Sequence, residues 1–230
     1  MNNDQLPSNV ISCTNQSVNY DLYLHGAIEE ASNYMEHFLT FKMANPEDTI
    51  RLWINSEGGR CDTGFQFIEH MRECQAQIIA VIGMNCASMA SFIALEADHV
   101  QLSDWSQMML HSMRVGTYGE IAAAHEQLSF YKKLNDKLIN QYCNGFLTDE
   151  QKASVLAGKD VYLDADEIAE AWERREEQRQ DGDIGLRNDV VSAESVISKA
   201  IDEYTQRLKQ EFDITPKKAK KTVDSKKLKD

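Results

Sequence analysis

No apolar run in this 230-residue sequence approaches the ~18 residues that a membrane-spanning helix needs. The opening MNNDQLPSNV is polar and lacks the apolar stretch of a secretory leader. Both absences point to a soluble, cytoplasmic protein. Proline is scarce, with 3 residues, and glycine modest, with 11, so little interrupts regular structure. The five cysteines (Cys13, Cys61, Cys74, Cys86, Cys143) are an odd set without a C-x-x-C pair. That excludes a disulfide framework and zinc-type spacing, and leaves reduced thiols and no metal. Positive charge is also short: 24 Lys and Arg against 37 Asp and Glu give a net charge of -13, which argues against a nucleic-acid surface spread over the chain. Neither a G-x-G-x-x-G turn nor a Gly-Lys-Ser/Thr phosphate loop occurs, so no nucleotide cofactor is expected.

Hydrophobic residues make up 42% of the chain, enough for a substantial core. Residues 20–25 (YDLYLH) alternate and meet Gly26, the pattern of a strand and its stop. Residues 28–43 carry Ile28, Ala31, Met35, Phe38 and Leu39 at helical spacing, ended by Asn45-Pro46. Strands are expected at 49–54, 76–82, 99–102 and 107–110, and helices at 62–75 and 88–97. Strands alternating with helices imply an α/β fold built from parallel units. Residues 119–143 have no breaker and read as one long helix, with Ile121, Leu128, Leu134 and Leu138 outnumbering what a short contact needs. Asn144-Gly145 stops it, and Thr148-Asp-Glu-Gln151 reads as a capping box opening the next helix. A further helix starts near Asp164. Residues 173–183 are almost wholly polar, and 192–212 fit one more helix. Residues 216–230 hold seven lysines, two aspartates and no aromatic, the composition of a disordered tail.

Three residues draw attention as chemistry. Ser88, in NCASMAS (85–91), stands between a strand and a helix. Such a serine is commonly a helix cap. The same place puts its hydroxyl beside unpaired amides and the positive end of the helix dipole, which would stabilise the oxyanion formed when a serine attacks a carbonyl. A serine nucleophile needs a base and a group to orient that base. His111 closes the apolar run 108–110, and Asp160 lies in GKDVYL (158–163). An ordinary strand-end histidine and a solvated loop carboxylate read equally well from spacing alone. Gly58-Gly59, directly after a strand, allows a sharp turn or a close approach to main-chain amides.

Taken together, LWINSEGG (52–59), NCASMASF (85–92), MMLHSM (108–113) and GKDVYLDADEIAEAW (158–172) resemble, in order and interval, the proteolytic subunit of Clp protease. YDLYLHGAI resembles that family's opening strand, and 119–143 its handle helix. The resemblance covers roughly residues 20–172. It implies a crotonase-like β-α spiral core with a protruding handle helix. It also implies a Ser-His-Asp peptidase with Ser88 as nucleophile, His111 as general base and acid, and Asp160 orienting the imidazole. The amides of Gly59 and Met89 would form the oxyanion hole. Protein or peptide substrates, a homo-oligomer of heptameric rings around a chamber, and a Clp-type ATPase partner follow from the same resemblance, with no cofactor, membrane or nucleic acid.

Several positions depart from the family's pattern. Glu57 replaces a proline, Met84 and Ala90 replace glycines, and Ser112-Met113 replaces Gln-Pro. The segment before Tyr20 is short for an axial gating arm plus a first helix. On this reading residues 1–19 form a flexible arm, 20–172 the peptidase domain, and 173–230 a charged helical extension with its lysine-rich tail. A diverged body with such a tail also resembles the Clp-type head-maturation proteases of tailed bacteriophages, which would place it in host cytoplasm or procapsid. Two other classes compete: a non-catalytic subunit of mixed rings, and an enoyl-CoA hydratase-type enzyme of the same fold.

Overall fold

The computed structural model describes residues 17–180. The expected helix over 192–212, the lysine-rich tail and nearly all of the arm lie outside the described residues. Strand β1 (Asn19–Ile28) pairs in parallel with β2 (Thr49–Gly59), and β2 in parallel with β3 (Gln77–Ala87). β3 serves two partners in tandem. Its first half pairs with β4 (His99–Gln101) through Ile79 to Val81, and its end pairs with β5 (Met108–Leu110) through Cys86 and Ala87. β6 (Val161–Leu163) closes the sheet antiparallel to β5. The result is the α/β sheet that the sequence implies, mixed and not wholly parallel because β6, a strand not expected from the sequence, runs antiparallel.

On β2 the alternation is clean. Ile50, Leu52 and Ile54 are buried, while Thr49, Arg51 and Trp53 face the other side, half exposed. There the Asp21 carboxylate accepts hydrogen bonds from Trp53 Nε1 and Arg51 Nη2, both at 2.8 Å. These bonds, Trp53 first, hold Asp21 below the usual carboxylate range. Helices α1 (Met35–Met43), α2 (Cys61–Glu73) and α3 (Met89–Ala94) lie in the connections between the parallel strands. Phe67 of α2 collects Tyr34, Phe38 and Phe41 at ring-centroid distances of 5.1, 5.0 and 6.3 Å. Each such aromatic contributes about 1.5–3 kcal/mol by burial.

Two expectations are corrected here. Gly26 does not stop β1. With φ of +69° it shifts the register between His25 and Ala27, and the strand continues to Ile28. The following helix therefore starts late, as a 3-10 turn over Ala31–Tyr34 and then α1. Losing that continuous helical period shifts part of the buried face, although Ile28 and Phe38 are buried as expected. Tyr34, Phe38 and Phe41 point inward, whereas Met35 and Leu39 are 53% and 51% exposed. The larger aromatic surfaces take the inner positions.

Beyond β5 the chain builds α4 (Ile121–Cys143), α5 (Asp149–Leu156) and α6 (Ala165–Gln180). Thr148 and Gln151 form the expected capping box. α4 has 23 residues, roughly 35 Å at 1.5 Å per residue, and only Leu138, Ile139, Tyr142 and Cys143 at its far end are buried. That root is fastened by a polar cluster: the Tyr142 hydroxyl donates to Glu96 Oε2, and Arg72 donates to Glu96 at 3.0 Å and to Tyr142 at 2.8 Å. Desolvation pushes the Tyr142 phenol well up. The start of the segment read from sequence as a polar extension is packed into the body. Arg175 is fully buried, its guanidinium 5.6 Å over the Trp172 ring, and Arg174 donates to the carbonyls of Gly145 and Phe146. No disulfide joins Cys61, Cys74, Cys86 and Cys143. Among the described residues no helix is long and apolar enough to cross a membrane.

Candidate active site

Sheet register brings Ser88, His111 and Asp160 together. β3 ends at Ala87, paired with Met109 of β5, and the Ser88 amide donates to Met109 O at 2.8 Å. His111 follows Leu110, the last residue of β5. In the antiparallel ladder Leu110 faces Val161, so Asp160 arrives beside His111. Residues 23 and 49 positions apart along the chain thus meet through two strand pairings.

Ser88 has φ of 56° and ψ of -125°, the one non-glycine residue with positive φ among those described. Such a backbone costs of order 1–3 kcal/mol and persists only where its surroundings hold it. Here they do. Ser91 Oγ lies 2.8 Å from both the Cys86 and the Met109 carbonyl oxygens, stapling α3 to β3 and β5 directly below the serine. The Ser88 side chain caps no amide of α3. Its Oγ instead lies 2.7 Å from His111 Nε2. The two readings that the sequence leaves open, cap or reactive hydroxyl, separate at this contact.

His111 is mostly buried. Burial, and secondly the Arg114 cation, hold its pKa below the ordinary value of 6.5, while Asp160 pulls it the other way. A neutral imidazole at pH 7 can accept the hydroxyl proton at Nε2 provided that Nδ1 carries hydrogen. Nδ1 faces Asp160 Oδ1 at 3.7 Å, a distance for Coulombic attraction and too long for a hydrogen bond. Arg114 Nη2 sits nearer the same carboxylate, 3.4 Å from Oδ1 and 3.3 Å from Oδ2.

The Gly58-Gly59 turn lies against this centre. Ser56 pairs with Cys86, and a Cβ added to Gly58 would stand 2.6 Å from Ala87 O and 2.6 Å from Ser88 Cβ. It would also stand 2.9 Å from the Met89 amide nitrogen. Only glycine, at its φ of +87°, lets the two chains approach this closely. The Gly58 amide is already taken by Ser56 Oγ at 3.1 Å. Gly59 follows it on the rim, and its Cβ position is filled by Ile28 of β1. Met89, whose side chain packs where Gly64 leaves room on α2, begins α3 with its amide beside the glycine turn.

Sequence reasoning missed Ser91, Ser56 and Arg114. It also missed Asn135 of α4, whose Oδ1 accepts the Met113 amide at 2.8 Å and steadies the loop after His111. A second serine three places after Ser88 was visible, but nothing in the sequence showed which carbonyls it would reach. Arg114 left no signal at all.

A comparison with known protein families agrees with this architecture. The profile of the Clp protease family matches residues 14–172, more than half of the chain. That family comprises peptidases with a mixed α/β fold, and the chain belongs to it.

Proposed function

We propose that this protein is a serine endopeptidase in which Ser88, His111 and Asp160 act as a catalytic triad. The 2.7 Å contact between Ser88 Oγ and His111 Nε2, on a serine held at positive φ, carries this reading. Ser88 Oγ attacks the carbonyl carbon of a peptide bond while its proton passes to His111 Nε2. The amides of Gly59 and Met89 receive the oxyanion. Collapse breaks the C–N bond, and the leaving amine takes the proton from Nε2. Water, deprotonated by the same nitrogen, then hydrolyses the acyl-enzyme and returns Ser88 to its resting state. Asp160 favours the tautomer with hydrogen on Nδ1 and offsets the charge of the imidazolium.

The peptidase is proposed to work inside a ring assembly. Ile121 and Phe130, 90% and 63% exposed on the free part of α4, support this, because a projecting helix with bare apolar side chains is expected to find a cover. The departures from the family pattern fall outside the proposed triad: Glu57 and Met84 are exposed, Ala90 is buried in α3, the Ser112 hydroxyl donates to Val155 O and the Met113 amide to Asn135 Oδ1.

Labelling with a serine-reactive fluorophosphonate is the direct test. Labelling at Ser88, with cleavage of a small fluorogenic peptide that falls by several orders of magnitude in Ser88→Ala, is the expected result. An unlabelled Ser88, or a variant that cleaves as fast as the parent, would establish the non-catalytic subunit reading instead.

A further inference from the structure

The Asp160 carboxylate is claimed by the Arg114 guanidinium and by the His111 imidazole, and the nearer claim is not that of His111. Arg114 Nη2 spans both carboxylate oxygens at 3.3 and 3.4 Å, while His111 Nδ1 stands 3.7 Å from Oδ1. The Arg114 side chain is 74% exposed, so this ion pair is solvent-screened and exchanges at little cost. Arg114 also lines a cleft of about 470 Å³ bounded by Gly59, the neighbour of the glycine that abuts Ser88, by Met113 and by Tyr131 and Leu134 of α4. The charged side chains on that wall are Arg60, Asp62 and Arg114. Arg60 is engaged by Asp62 at 2.6 Å. The cleft is therefore net cationic on a chain of net charge -13, and Arg114 is the cation in it that a visiting anion can take.

We propose that Arg114 is a specificity-determining residue: it rests on Asp160, and an acidic side chain of a peptide substrate, bound in the cleft next to the scissile bond, draws it away so that Asp160 closes onto His111. A guanidinium suits this exchange, since its planar fork fits one carboxylate as well as another. The inference rests on the peptidase reading above and adds the substrate class to it. The groups whose charge acts on His111 are Asp160, ahead of β6, and Arg114, after β5; the Ser88 hydroxyl faces it from the start of α3.

The test compares the full chain with Arg114→Met and Arg114→Lys on matched fluorogenic peptides that carry Glu or Gln on either side of the cleaved bond. The parent is expected to cleave one Glu peptide roughly tenfold better than its Gln partner in kcat/KM, the worth of one charge-assisted hydrogen bond. Arg114→Met should lose that preference and cleave the Gln peptide faster than the parent does. Arg114→Lys should keep part of the preference. The pH profile gives a second readout. Activity requires neutral His111, so it is lost as pH falls through a value below 6.5 in the parent. Removing the cation raises that value, and the acid limb should move to higher pH. Equal cleavage of Glu and Gln peptides by the parent, or a proportionate loss on both in Arg114→Met with an unmoved acid limb, overturns the inference while Ser88 still labels. Absence of both labelling and cleavage overturns the peptidase reading and this inference with it.

Discussion

Ser88 illustrates how a single residue's backbone can carry chemical meaning. A positive φ on a side chain other than glycine is stored strain, and here it aims Oγ at His111 instead of at the α3 amides. The strain is affordable because Ser91 ties the turn to two strands and because Gly58 lets β2 press against it. Gly58→Ala tests that dependence. Its new Cβ would sit 2.6 Å from Ala87 O and from Ser88 Cβ, backbone and short side chain that cannot swing aside. The added methyl group also has to be held at positive φ. The expected result is destabilisation of about 1–3 kcal/mol in urea unfolding with fluorophosphonate labelling of Ser88 slowed by more than the stability loss explains. Unchanged labelling kinetics would show that the glycine turn does not shape the centre.

Among the elements, α4 shows the sharpest division between what is fixed and what is bare. One face of its last two turns is buried, and the Arg72–Glu96–Tyr142 cluster clamps it to α2 and to the residues just after α3. Glu96 is fully buried, and a buried carboxylate needs each of its partners. Tyr142→Phe removes one donor while keeping the ring that packs on Phe92 at 5.9 Å. The expected cost is about 1–3 kcal/mol, read by thermal or urea unfolding. A neutral result would mean that Arg72 alone satisfies Glu96. β3 makes a comparable point about strands. By running on to Ala87 it pairs with β4 first and β5 afterwards, and that second pairing is what delivers Ser88 to His111.

At the scale of the whole molecule, the first part of α4 presents Ile121, Leu128 and Phe130 to solvent. Bare apolar residues of this kind support the contact between copies of the chain proposed above. Phe130→Asp should leave the fold unchanged by far-UV circular dichroism, because surface substitutions typically cost within about 0.5 kcal/mol. It should shift the sedimentation coefficient to a smaller species. A parent that sediments as a monomer over a wide concentration range would remove the chamber from the functional reading.

The sequence by itself determined the α/β class, the order of most elements though not the strand β6, the capping box at Thr148 and the identity of Ser88, His111, Asp160 and the Gly58-Gly59 turn as residues worth examining, while Met89 came from the family resemblance alone. These are local facts, written in periodicity, in turn residues and in short motifs whose spacing survives in one dimension. It placed Phe38 correctly but misjudged Met35 and Leu39 on α1, because a register shift at Gly26 and a 3-10 turn break the helical count on which that reading depended. Only the tertiary structure decided that Ser88 is no cap, that His111 lies within 2.7 Å of its hydroxyl, and that Arg114 shares Asp160. Each of those is a distance between residues far apart along the chain. Strand register sets it, and register depends on the packing of the whole sheet.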